Sequence, residues 1–106
     1  MAESIRIEPR SVEHRAERSV AVLVAVADPI RWTVLERLAD GTHCVCDLQA
    51  HVPIAANLLS YHLKVLREAG LVTSARRGRW IDYSLAADAH ERLAAALPTA
   101  ALVSAR

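Results

Sequence analysis

Phenylalanine is absent from this chain of 106 residues, and two Trp and two Tyr are its only other large aromatics. A core without aromatic bulk has to be assembled from Leu, Val, Ile and Ala, which favours closely packed helices over a wide sandwich. Long apolar runs are missing too. The longest, Val20 to Ala27, has eight residues, against roughly 20 needed to span a bilayer. The charged, mixed-sign segment before it lacks the layout of a secretory signal, so the expectation is a cytoplasmic protein with no membrane partner. Cysteine is scarce, with Cys44 and Cys46 the only two, and in a reducing compartment such a pair reads as free thiols. No Ser/His/Asp or paired-carboxylate arrangement is discernible, so an enzyme is not expected.

What is present fits one domain. The net charge is only +1, but its distribution is uneven. Between Ala55 and Ile81 five basic residues (Lys64, Arg67, Arg76, Arg77, Arg79) face one acid, Glu68, a local balance of +4 against −3 elsewhere. Such segregation presents one positive face to a polyanion.

Residues 1–10 show no clear period and read as a mobile arm. A first helix is expected over 11–27 with Ser11 as cap; its second half is apolar all round and so must be covered on more than one side. In so short a chain a second copy is the economical cover, which predicts a homodimer. Asp28-Pro29 starts a second helix with Ile30, Val34, Leu35 and Leu38 on one stripe, and Asp40-Gly41 ends it. Thr42 is placed to cap a third helix over 44–51, with Val45, Leu48 and Val52 facing inward. A fourth helix over 55–69 carries Leu58, Leu59, Leu63 and Leu66 as core positions and stops at Gly70. Two strands over 71–75 and 80–85 flank Arg76-Arg-Gly-Arg79, and a last helix starts at Asp88.

The fold class is therefore mainly α with a small β-hairpin: a winged helix-turn-helix, with the helix-turn-helix over 44–69 and the wing over 71–85. In this arrangement the fourth helix enters the major groove of double-stranded DNA. Its polar outer residues Asn57, Ser60, Tyr61, Lys64 and Arg67 are the candidate DNA contacts. Asn suits adenine, Ser adapts, and Lys and Arg neutralise phosphate. His62 is either a contact or a half-buried packing residue, and Arg76, Arg77 and Arg79 extend the basic surface onto the wing.

Four segments carry a specific resemblance: Ala27-Asp-Pro-Ile-Arg31, Cys44-Val-Cys-Asp-Leu48, Leu59-Ser-Tyr-His-Leu-Lys-Val-Leu-Arg-Glu-Ala-Gly-Leu-Val72 and Gly78-Arg-Trp-Ile-Asp-Tyr-Ser-Leu85. In order and spacing they resemble the ArsR/SmtB family of metal-responsive repressors, over roughly residues 19–97. The resemblance implies a homodimer joined by the first and last helices, about 11–27 and 88–104. It also implies repression of a metal(loid)-resistance operon, relieved by an inducer.

The same resemblance makes Cys44 and Cys46 the ligands of As(III) or Sb(III), with Cd(II), Pb(II) or Zn(II) as alternatives. Residues two apart on a regular helix point about 200° away from each other. Both thiols therefore reach one ion only if Cys44 lies at, or outside, the first turn. A third thiol of arsenic-sensing members falls on Gln49, leaving His43, Asp47, His51, His14, water or a small thiol to complete the set. A disulfide between the two cysteines is not expected, because the small ring is strained. Asp88 and His90 resemble half of a second family metal site, on the last helix. A regulator answering to thiol oxidation, or to no ligand, is the competing reading.

Overall fold

The computed structural model describes residues 9–98, with the elements α1 (Pro9–Val26), α2 (Pro29–Leu38), β1 (His43–Cys44), α3 (Val45–His51), α4 (Ala56–Glu68), β2 (Val72–Arg77), β3 (Trp80–Leu85) and α5 (Ala89–Ala96). The expected segment 1–10 lies outside the described residues except for Pro9 and Arg10, which are helical. Helix α1 thus starts two residues before Ser11, with Pro in the first position, where its missing N–H costs nothing. Residues 99–104, expected to continue the last helix, also lie outside the described residues; α5 itself ends at Ala96, with Leu97 already extended.

The junction of α1 and α2 is built by two side chains. The Asp28 carboxylate accepts from the backbone N–H of Ile30 (2.9 Å) and Arg31 (3.0 Å), and Pro29 occupies the first turn. Those N–H donors, Arg31 first, hold the Asp28 carboxyl below the usual carboxylate range, with the Arg31 charge adding to the effect. Because the folded pKa is depressed, this cap stabilises the protein above the ordinary carboxylate pKa and is lost as pH falls through the lowered value. Replacing Asp28 by Ala is expected to cost about 1 kcal/mol. Asn should restore most of that while removing the acid-limb dependence, which denaturant titrations at pH 7 and pH 3 will read.

Arg31 then ties three elements together. Its Nε donates to the Ala25 carbonyl on α1 (2.6 Å), and its guanidinium donates to His62 Nδ1 on α4 (2.9 Å). The recognition helix is thereby referenced to the α1–α2 corner.

The core runs through Val34, Leu38, Leu48, Leu59, Leu63, Leu66 and Leu71, all at most 2% exposed. Leu58 does not join it. It is 49% exposed, because Leu59, Leu63 and Leu66 already fill the inward stripe of α4 and Leu58 lies about 100° round the helix from its neighbour. Helix α4 ends in a paired closure: Gly70 N–H donates to the Arg67 carbonyl (3.0 Å) and Leu71 N–H to the Leu66 carbonyl (3.0 Å), with Leu66 and Leu71 both buried. Gly70 has φ +78°, a left-handed conformation that calls for glycine; the Arg92 guanidinium that a Cβ would meet is the end of a flexible side chain and can move aside.

The sheet has three strands in the order β1-β3-β2, all antiparallel. Strands β2 and β3 pair from Val72↔Leu85 to Arg77↔Trp80. The Gly78-Arg79 turn between them has φ +63° at Gly78 and no positive φ at Arg79, as in a hairpin turn with Gly in its first central place. The expected end at Ala75 is too early: pairing carries β2 to Arg77. Strand β1, absent from the sequence reading, pairs His43 with Tyr83 and Cys44 with Asp82. Thr42 does not cap α3 as expected; its hydroxyl hydrogen-bonds the Ser84 hydroxyl (2.7 Å) beside this pairing. Asp88 stands at the start of α5 without capping it by its side chain, its carboxylate taking Arg92 instead (3.1 Å).

Candidate functional site

Helices α3 and α4 are joined by a tight turn, in which Ile54 N–H donates to the Val52 carbonyl (2.8 Å) and the Gln49 side-chain amide donates to the Ile54 carbonyl (3.0 Å). Gln49, in the place of the third thiol, therefore serves the turn that sets the angle between the two helices. Asn57, Ser60, Tyr61, Lys64 and Arg67 are all exposed along α4. No acid lies in its first turn, and no ion pair engages Lys64 or Arg67 among the described residues.

His62 departs from that group. Its side chain is 13% exposed, faces Arg31 and lies 3.9 Å from the Asp28 carboxylate. Of its two sequence readings, half-buried packing is the one that matches. It still supports the outer face, since the Tyr61 ring packs edge-on against it with centroids 5.3 Å apart.

On the wing, Arg76, Arg77 and Arg79 are exposed, but they are not equivalent. Arg77 donates twice to the Asp82 carboxylate, at 2.7 and 3.1 Å. That bond depresses the Asp82 carboxyl and raises the Arg77 guanidinium further, with the Asp47 charge adding to the field at Arg77. Arg76 and Arg79 have no ion-pair partner among the described residues.

The sulfur site lies at the root of this wing. Cys44 sits outside the helix: it is the N-cap of α3, with φ −74° and ψ 163°, and its sulfur accepts from the Asp47 N–H (3.4 Å). That extended conformation turns its side chain toward Cys46, and the two are joined as a disulfide, their Cα atoms 5.3 Å apart. The expectation of free, unpaired thiols is corrected here. That expectation rests on the strain of so small a ring; pairing with β3 holds Cys44 extended, outside α3, and lets the two side chains converge.

The ligating atoms of Cys44, Cys46 and Asp47 lie within 4.8 Å of one another, the only such group of three or more potential metal ligands among the described residues. His43 falls outside it, although its Nδ1 approaches the Asp47 carboxylate (3.8 Å), and His51 turns to the Asp47 carbonyl (3.3 Å). His14 is exposed on α1 and is not a member of the group. Asp88 and His90 gather no third ligand among the described residues; His90 instead lines an apolar pocket of about 280 Å³ with Trp32, Leu35 and Leu93.

Comparison with known proteins agrees with this architecture. A family model described as "Bacterial regulatory protein, arsR family" matches residues 28–74, from the Asp28 cap to the start of the wing. The chain is 38% identical over 72 residues to a transcriptional repressor SmtB homolog of Synechocystis, covering 68% of this chain and 54% of that protein. It is 40% identical over 62 residues to the arsenical resistance operon repressor of Bacillus subtilis, covering 58% of this chain and 59% of that one. The chain thus spans little more than half the length of these two relatives. Among solved structures, a possible transcriptional regulator for arsenical resistance superposes with a TM-score of 0.67 at 32% identity, over 79% of this chain and 93% of that one. The shared helix-turn-helix, the wing and these likenesses together place the chain in the arsR family of bacterial regulatory proteins, which are not enzymes.

Proposed function

We propose that this chain is a DNA-binding transcriptional repressor of a metal(loid)-resistance operon, released from its operator when Cys44 and Cys46 take up a thiophilic inducer. The observation that carries this reading is the placement of Cys44 outside α3, which brings its sulfur beside that of Cys46 and the Asp47 carboxylate. Two sulfurs select a soft ion. Arsenite and antimonite are favoured, in keeping with the arsenical repressor among the relatives; cadmium, lead and zinc accept the mixed sulfur–oxygen set as well. Asp47 is the third donor supported by distance.

The operator-reading surface is the outer face of α4 with the wing. Asn57, Ser60 and Tyr61 reach base edges, and Lys64, Arg67, Arg76 and Arg79 meet phosphate. The working unit is a homodimer. Along α1, Val12, Val20 and Val24 are 42–58% exposed, an apolar stripe on the helix that packs against α5, and a second copy covers it.

The disulfide supports one rival reading, in which oxidation of the two thiols is itself the signal. One titration separates the two. Reduced protein on a labelled operator duplex is challenged in parallel with arsenite, antimonite, cadmium, lead, zinc and hydrogen peroxide. Release by arsenite and antimonite at least tenfold beyond that by zinc supports the metalloid sensor. Release by peroxide alone replaces it with the redox switch.

A further inference from the structure

We infer that Leu58 is a specificity-determining residue of the DNA interface: together with the Tyr61 ring it reads the 5-methyl groups of thymines in the major groove. The inference rests on the DNA-binding reading above and adds what kind of sequence is bound.

Helix α4 spends four leucines, and the structure divides them unequally. Leu59, Leu63 and Leu66 are fully buried, whereas Leu58, in the first turn, is 49% exposed. Tyr61, one turn further on, is 55% exposed. Side chains three apart on a helix are neighbours, so the two form a continuous apolar strip. That strip adjoins Asn57, Ser60 and Lys64, all exposed on the same helix. Tyr61 is steadied by its edge-on contact with His62, which Arg31 holds in turn.

A large aliphatic side chain in this position gains nothing from water and serves no core. The strip lies on a different helix from the exposed valines of α1 that a second copy would cover. The N-terminal residues of a recognition helix are those that meet base edges, and thymine alone among the bases presents a methyl group in the major groove. An apolar pair between an amide that suits adenine and a flanking cation matches A·T steps read from both strands: Asn57 takes the adenine edge and Leu58 the thymine methyl.

The test removes the methyl and nothing else. An operator is selected from random duplexes against the full chain, and each thymine of a half-site is replaced singly by deoxyuridine. One or two positions are expected to lose about fourfold in affinity, as burial of a single methyl implies. Leu58→Ala should bind the parent duplex more weakly and abolish the thymine–uracil difference at those positions, with an unchanged salt slope showing that the phosphate contacts persist. Tyr61→Ala should reduce the difference without abolishing it. Indifference of the wild-type protein to every uracil, or a difference that survives in Leu58→Ala, overturns the inference while leaving DNA binding intact. Failure to bind or select any duplex overturns the DNA-binding reading itself, and this inference with it.

Discussion

Replacing Cys44 and Cys46 together by serine is expected to leave operator affinity within about twofold of the wild type and to abolish release by arsenite. The first half of that result follows from the N-cap of α3. The Cys44 sulfur accepts the Asp47 N–H, and a serine hydroxyl is among the best acceptors for that position. The short helix therefore starts in the same place, the Gln49 bond to Ile54 is untouched, and α4 keeps its setting. The second half follows from ligand chemistry, since a hydroxyl does not replace a thiolate toward a soft ion. Coupling between an effector and a ligand typically amounts to 1–3 kcal/mol, or 5- to 150-fold in affinity. The wild type should lose operator affinity by a factor in that range, and the double variant by less than twofold. Cys44→Ala is the informative contrast: it removes the cap as well as the ligand and should weaken DNA binding before any inducer is added. A Ser/Ser protein still released by arsenite would move the inducer site away from these residues.

The second large effect is expected on the wing. Changing Arg76 and Arg79 to Ala should weaken binding to every duplex alike and flatten its salt dependence. Each phosphate contact contributes about 0.9 to the slope of log affinity against log salt, or roughly tenfold in affinity near 0.1 M. Two contacts per wing therefore predict losses approaching 100-fold for one half-site. Arg77→Ala should do less to the slope, because the Arg77 guanidinium is held twice by Asp82 at the stem of the hairpin. Fluorescence anisotropy at several salt concentrations distinguishes the variants, and an unchanged slope in the double variant would remove the tip from the interface.

Much of this was legible in the sequence because the signals were local. Asp28-Pro29 started α2 as expected, and Gly70 closed α4 where the leucine period ended. Other features depend on residues far apart along the chain. A strand of two residues has no period to detect, so neither β1 nor the reason Cys44 stands outside α3 is legible in the sequence. The Arg31–His62 bond joins residues 31 apart, so no local signal marks the inward turn of His62. Four leucines at helical spacing suggest one broad stripe that includes Leu58, whereas the packed face accommodates three. In the sequence Asp47 is one of several possible third donors; the turn of chain around Cys44 puts its carboxylate beside both sulfurs.

The pairing of Cys44 with Asp82 also has a consequence for motion. Asp82 lies in the middle strand, bonded to β1 on one side and to β2 on the other, and its carboxylate grips Arg77. The stem of the hairpin cannot fray on that side without releasing the segment that keeps Cys44 extended, and α3 cannot extend backward through Cys44 without stripping an edge from the hairpin. Opening of the wing root and fraying of the α3 start are thus one local unfolding event rather than two. Amide protons at the two places are bound to exchange together, at a rate set by a clasp of only two residues.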